Sequence, residues 1–560
     1  MARIIAAAVM ALALAWPAAA AAQAQTAGSG ASEGELTAIP SNAGQVAGRW
    51  SQAAMIIASA RKAPELARIL REHPQAYAQA YTRRLGGWQV SFFERRPGSD
   101  DEIALTIVED RTAKVIEAWT GIRVKWAMAR GYPGGFGRHA AALPVWLALL
   151  ALFLLPFLRP PWRMLHLDLV VLASLSISLA CFSDGNVEAS VPLAFPPLVY
   201  LLVRLLIIAR RAARSPAPPL RLAVGRDFLI VGIMFLVGAR VGMQFADANV
   251  IDVGFGSVVG ADKLSQGRAL YGEFPVSIER GDTYGPAVYL AYLPFELLLP
   301  WSGTWDNLPA GHAAAATFDL VCAALLGFLG TRLRGGLFGL LMAYMWLAFP
   351  FTLFASNSGT NDALVGALIL GVVALASRPV LQGATAMAAG LTKFAPLGLL
   401  PLFVRSRRTA IGAGLALLAL LALIAVLDGG LGTFWDRTVG FQADRDSPFS
   451  IWGLYDLGLL QKIVQLGAVV LALAVAFAPH RDHPVVLASL AAAVLVAVQL
   501  AMPHWFYLYL VWVLPLVFLA FVGRYELSAD RSTGSMESAR PGDEQRTSTA
   551  LTQGSASAAP

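Results

Sequence analysis

From Ala140 to Gly523, apolar runs close to twenty residues long alternate with short polar connections, the pattern of a chain that crosses lipid repeatedly. Eleven full spans are predicted, at 142–158, 165–183, 192–210, 222–244, 311–331, 337–355, 361–377, 409–427, 457–478, 484–502 and 505–523. Two further apolar stretches break the series. Residues 382–404 are flanked by Arg378 and Arg405 and carry Lys393 and Pro396 in the middle, so a single crossing would leave basic residues on both sides of the membrane. A broken-helix hairpin satisfies both flanks and lifts Lys393 toward the outer surface. The stretch 284–301 holds Pro286, Pro294, Glu296 and Pro300, which suits an interfacial or re-entrant segment.

Ahead of the spans the pattern changes. Residues 1–24 join Arg3 to an apolar run ending in small residues, the form of a secretory signal, with an uncleaved anchor as the alternative. Residues 25–45 are small and polar and predict a disordered linker. A soluble extracytoplasmic α+β domain is expected over 46–140. It begins with a helical stretch from Gly48 to Tyr81, followed by strands in GWQVSFFER, DEIALTIVED and TAKVIEAWTG.

Composition agrees with a membrane protein: 57% of the residues are hydrophobic, 14% are charged and the mean hydropathy is +0.59. The net charge of +7 does not point to nucleic acid, because the arginines sit in short clusters between apolar runs. Those clusters (Arg159/Arg163, Arg210/Arg211/Arg214/Arg221, Arg332/Arg334, Arg378, Arg405/Arg407/Arg408 and Arg481) recur at every second connection, which predicts those connections to be cytoplasmic. The loops 245–310 and 428–456 and the NSGTND segment then face outward. The polar tail 524–560 is expected to be disordered and cytoplasmic, and the protein to lie in the inner, cytoplasmic membrane. Cys181 and Cys322 each lie inside an apolar run and read as buried small side chains. The sequence has no Walker, GxSxG or HExxH motif in a suitable context, which argues against ATP-driven transport and against serine or zinc hydrolysis.

In the loop 245–284, an acidic residue shortly after a span is followed by a short helix, a glycine and a tyrosine: Asp252, Gly267 and Tyr271. Then come TYGP at 283–286, GLTKFAP at 390–396 and the aromatic run PHWFYLYLVW at 503–512. Together these resemble the first outer loop, Tyr-x-Pro segment, Lys-x-x-Pro element and aromatic last spans of the GT-C class of integral membrane glycosyltransferases, in its polyprenyl-phosphate-mannose type branch. The resemblance covers residues 222–523. It implies a GT-C-like fold, a polyprenyl-phosphate sugar donor, a glycan or lipid acceptor and an inverting outcome. The pair Trp88 and Trp119 makes the N-terminal domain resemble a small PepSY-type module, which brings no catalytic motif.

The chemistry of such a transfer asks for a base, cations for the leaving phosphate and an apolar path for the lipid. Asp252 is the candidate base, or the ligand of a divalent metal (Mg or Mn) if one takes part, with Asp262 and Asp247 as alternative acids. A helix-capping role competes for Asp252. Lys393, Arg437, Arg445 and His504 are candidates for the donor phosphate, and Tyr271 and Tyr284 for the substrate loop. Bland readings stand beside them: a snorkelling lysine, an Arg445 network with Asp444 and Asp446, and an aromatic-belt histidine. A lipid-linked glycan transporter or flippase, and an envelope sensor built on the N-terminal domain, are the alternative functions.

Overall fold

In the computed structural model the described residues are 36–528, apart from 84–86, 96–99, 132–134, 213–217, 306–307, 444–446 and 480–481. Residues 1–24, expected to form a secretory signal, Arg445 and the tail beyond 528 lie outside them.

The N-terminal unit is a five-stranded antiparallel meander in sequence order: β1 (Thr37–Ile39), β2 (Tyr77–Thr82), β3 (Trp88–Glu94), β4 (Asp101–Val108) and β5 (Val115–Thr120). Helices α1 (Ala53–Ala60) and α2 (Ala67–Glu72) accompany it, and Ala53, Ile56 and Ala60 join Trp88, Val90, Phe92, Ala104 and Val108 in one core. Two expectations are corrected here. Residues 37–39, placed in a disordered linker, pair with 80–82 as an edge strand. The helix expected to reach Tyr81 ends near Glu72, because Pro74 follows and Tyr77–Thr82 alternates as a strand. Trp88 and Trp119 occupy different faces of the sheet: Trp88 is in the core under α1, whereas Trp119 packs with Leu105, Ile107 and Val124 on the other side.

The remainder is a polytopic helical body. Among the described residues, seven helices are long and apolar enough to cross a membrane: α4 (Met164–Ser183), α5 (Val187–Arg211), α6 (Arg226–Ala246), α9 (Pro309–Arg334), α14 (Arg407–Leu427), Gly458–Phe477, of which α15 is Gly458–Ala474, and α16 (Pro484–Ala501). A bent pair, α10 (Gly336–Ala348) and α11 (Pro350–Asn357), is long and apolar enough when taken together, and its two helices meet at 57°. Four more apolar helices among the described residues are shorter: α3 (Leu143–Leu154), α8 (Pro286–Leu298), α12 (Asp362–Ala374) and α17 (Leu510–Val522). The body also holds α7 (Asp252–Ser265) and α13 (Pro379–Lys393), the first arm of the hairpin.

The bend between α10 and α11 has an identifiable cause. Pro350 has no N–H to give the carbonyl of Trp346 four residues back. That carbonyl and its neighbour on Leu347 instead accept from the Arg240 guanidinium at 2.9–3.2 Å, and Thr352 Oγ1 also donates to Trp346 O. Arg240 is itself neutralised by buried Asp319, at 2.7 Å. Both charges sit inside predicted spans and tie α6, α9 and the bend together.

Two helices present very little of their surface to the protein. Only 17% of the apolar window of α14 is buried, and 17% of that of 458–477, against 89% for α16. The outward faces carry Leu415, Leu418, Ile463, Leu466 and Val470, the composition of a lipid-facing surface. The start of the tail, expected to be disordered, is held: Glu526–Ser528 pairs in parallel with Pro219–Arg221, and Arg524 reaches buried Asp168.

The segment 122–141, grouped with the soluble domain on sequence, packs into the helical body instead. Ala129 and Ala140 are fully buried in its core, Phe136 lies 4.9 Å from Phe506, and the Asn357 and Asn249 amides donate to the carbonyls of Gly137 and Gly135.

Candidate functional site

The polar segment NSGTND, expected as an outer loop, is buried from Asn357 to Asp362. It is covered by α7, whose glycines allow the approach: a Cβ on Gly254 would stand 2.0 Å from Gly359 O. Asn361 donates to Ser257 Oγ at 2.9 Å, on the same face of α7. This burial brings Asp362 to the start of α12 with no solvent exposure at all.

Opposite Asp362 stands Lys393. Helix α13 ends there, Phe394 takes a left-handed backbone (φ 54°), and the chain returns through 395–403. The return arm lies along the outgoing one, with Leu397 packed on Gly390, and at the base Arg405 and Phe403 come back beside Pro379 and Ala376. Lys393 is therefore at an apex. It is not at a surface, however. Its side chain is 5% exposed, its ammonium bonds Asp362 Oδ1 at 2.5 Å, and the rings of Tyr284, Trp512 and Tyr509 surround it at 5.3, 5.5 and 5.6 Å. The outer-surface position expected for Lys393, and the snorkelling alternative to its phosphate role, give way to an aromatic cage with an internal counter-ion. The Trp512 indole donates to the same Asp362 oxygen at 2.8 Å, while Oδ2 has no hydrogen-bond partner among the described residues.

Tyr284 reaches the cage because the first long loop is pressed onto the hairpin apex. The Gly285 N–H donates to Thr392 O, and a Cβ at 285 would lie 1.9 Å from Leu391 O, so this position requires glycine. Tyr271 is buried beside it and donates to Tyr284 O at 2.9 Å. Two carboxylates hold the loop, Asp428 from outside it and Asp282 from within. Asp428 accepts from the N–H groups of Leu270 and Tyr271, and Asp282 accepts from Gly272 N and from Arg437, both at 2.7 Å. Arg437 thus braces the loop. Burial pushes the Asp428 carboxyl up, against the two backbone donors that favour its charge. Burial also pushes the Lys263 ammonium down; it donates to Gly272 O and lies 4.7 Å from the Phe274 ring.

His504 comes close to the cage without lining it. Its Nδ1 pairs with Ser447 Oγ at 2.8 Å, and its ring stacks on Trp126 of the 122–141 segment and meets Tyr509 at 6.3 Å. Tyr509 in turn stacks on Trp512 at 4.4 Å. The belt position expected for His504 gives way to a buried one.

The three acids lie elsewhere. Asp252 is the first residue of α7, exposed, with Val253 N donating to its Oδ1; the N-cap itself is Ile251, so the carboxylate sits in the first turn, where the helix dipole favours its charge. Asp262 is bound to Arg268 at 2.8 Å and to Gln266 at 2.6 Å within its own loop. Asp247 accepts from the backbone and ring of His139 at 2.8 and 2.7 Å, anchoring the 122–141 segment. Among the described residues no three His, Cys, Asp or Glu side chains assemble as metal ligands.

No family model, curated protein or solved structure matches this chain. What the site can do follows from its geometry.

Of the sequence candidates, Tyr284, Lys393 and, one ring removed, His504 converge. Tyr271 and Arg437 support the loop that carries Tyr284. Asp362 is not among the sequence candidates, and Tyr509 and Trp512 enter there only as members of the aromatic run 503–512. For Asp362 a signal existed: a carboxylate closing an uncharged Ser/Asn/Gly/Thr run between two apolar segments, where an exposed loop would ordinarily be richer in charge.

Proposed function

We propose that the protein is an integral membrane glycosyltransferase with eleven crossings and a GT-C-like arrangement, moving a sugar from a polyprenyl-phosphate donor to an extracytoplasmic glycan or lipid acceptor. One observation carries the reading. The Tyr-Gly-Pro segment at 284–286 and the Lys-x-x-Pro element at 393–396, a hundred residues apart, meet at one cage, with Lys393 over the Tyr284 ring. In the transfer, the acceptor oxygen bonds to the anomeric carbon as the carbon–oxygen bond to phosphate breaks. The electron pair leaves with the polyprenyl phosphate, and the acceptor proton passes to a carboxylate. Lys393 supplies the cation for the leaving group, after exchanging Asp362 for phosphate. Asp252, exposed at the start of α7, is the base that a solvent-borne acceptor can reach.

The test is turnover of a panel of polyprenyl-phosphate sugars by protein in nanodiscs. Asp252→Asn is expected to abolish transfer at unchanged folding, and normal turnover in that variant removes Asp252 from the mechanism.

A transporter of lipid-linked glycans is the second reading, and a specific feature favours it. Two broken helices, α10/α11 leading to Asp362 and the hairpin ending at Lys393, deliver a buried ion pair to one level, as substrate and ion sites of transporters do. Movement of intact donor across a sealed vesicle, without loss of its sugar, would establish that reading instead.

A further inference from the structure

At the base of the hairpin, away from Lys393, a cavity of about 330 Å³ opens between the two arms and the start of α14. Its wall includes Pro379, Gln382, Arg405, Ser406, Thr409 and Asp482. Arg405 reaches across the mouth to Asp482 at 2.5 Å, but the Asp482 side chain is 85% exposed, so the pair is a solvated one that another anion exchanges at little cost. Three more exposed arginines are sequence neighbours of wall residues: Arg378 immediately before Pro379, and Arg407 and Arg408 between Ser406 and Thr409. The segments that form the wall thus carry four arginines, of which Arg405 lines the cavity itself and pairs with Asp482.

The cavity does not stand alone. From it an unpartnered apolar stripe runs down α14 through Ile411, Leu415 and Leu418, which are 47%, 59% and 65% exposed, and Val380 and Leu381 at the start of α13 are exposed beside it. A polar, cationic pocket at the head of an apolar stripe on a lipid-facing helix matches one kind of ligand, a molecule with an anionic head and acyl chains. We infer that this pocket binds the phosphodiester headgroup of an anionic membrane phospholipid. Arg405 is the principal contact, and the acyl chains lie along α14. The lipid would clamp the two ends of the hairpin to α14 from the side opposite the cage. The inference is independent of the glycosyltransferase reading.

Phosphatidylglycerol is the probe. Protein is reconstituted in nanodiscs of phosphatidylcholine with or without phosphatidylglycerol, and retained lipid is counted by native mass spectrometry. Wild type should carry one phosphatidylglycerol through delipidation. Arg405→Gln should bind it about 5-fold more weakly, the equivalent of one surface arginine. Ala376→Phe fills the cavity wall without touching charge and should lower retention at least as much. Both variants should melt as wild type does in pure phosphatidylcholine. Equal retention in wild type and both variants overturns the assignment. So does stabilisation of the phosphatidylcholine form by millimolar inorganic phosphate to the extent given by phosphatidylglycerol, since the pocket would then be a site for free anions.

Discussion

Replacing Lys393 by glutamine removes the cation and leaves Asp362 as a fully buried carboxylate with only the Trp512 indole to offset its charge. Breaking a buried pair from one side costs about 3–5 kcal/mol, most of it the penalty of the stranded partner. The cage adds to this, since an ammonium over a ring is worth about 0.5–2 kcal/mol. In a chain of this size, a loss of that order lowers the melting temperature by roughly 3–6 °C. Neutralising both partners, with Lys393→Gln and Asp362→Asn together, removes the stranded charge while the Asn carbonyl still accepts from Trp512. The double variant should therefore recover most of the loss and stand within about 1–2 kcal/mol of wild type. Apparent melting of protein in one lipid mixture, at one scan rate, reads the comparison. The reasoning fails if the single variant melts as wild type, or if the double variant is as damaged as the sum of the two singles. The first outcome would return Lys393 to a solvated, snorkelling position.

Other consequences are open to direct measurement. Asp110 takes bonds from the Trp88 indole and from the backbone N–H groups of Trp50 and Ser51; despite the opposing effect of burial, they and Arg49 hold its carboxyl below the usual range. Its contribution is present above pH 4 and lost as pH falls through the lowered value, so Asp110→Ala should weaken the N-terminal unit at pH 7 and flatten its acid unfolding curve. For Lys263, whose folded pKa is lowered, stability rises as pH climbs from that value toward 10.5, because the unfolded chain binds more protons; Lys263→Met should remove this alkaline rise in melting temperature. Gly285→Ala meets the Leu391 carbonyl and should displace the loop from the hairpin, measured as faster proteolysis of 266–285 and a fall in melting temperature. Removing residues 25–121 should leave the helical body folded, whereas extending the deletion to 141 takes Trp126, Ala129, Phe136 and Ala140 from its core and should abolish a monodisperse particle in size-exclusion chromatography.

The helical body was legible because a run of leucine, valine and alanine has few other uses, and each of the eleven predicted runs is helical in the structure. The hairpin was readable too, from Arg378 and Arg405 at the two flanks of one apolar stretch and Lys393 and Pro396 between them. What hydropathy could not reveal is where polar groups find partners. NSGTND reads as a loop by composition, yet Asn357 meets the carbonyls of Gly137 and Asp247, and Asn361 meets Ser257, contacts that exist only after distant segments assemble. The same holds for Arg240 and Asp319, single charges averaged away inside two apolar spans. The charge of Lys393 stands out in the sequence, but its burial depends on Asp362 and on aromatic residues from two other segments, the loop that carries Tyr284 and the last helix with Tyr509 and Trp512. The strand 77–82 was absorbed into the preceding helix because alanine and glutamine in AYAQAYT suit helix as well as strand, and only pairing with 88–93 decides.

The most direct measurement is the fate of the donor in sealed proteoliposomes carrying a polyprenyl-phosphate sugar labelled in its sugar, with acceptor outside. The account predicts that label moves to the acceptor while polyprenyl phosphate accumulates in equal amount, that Asp252→Asn stops both, and that Lys393→Arg, which keeps the charge in a cage shaped for an ammonium, retains only part of the rate. Label that crosses the bilayer still attached to its lipid, at the same rate in wild type and Asp252→Asn, would contradict it.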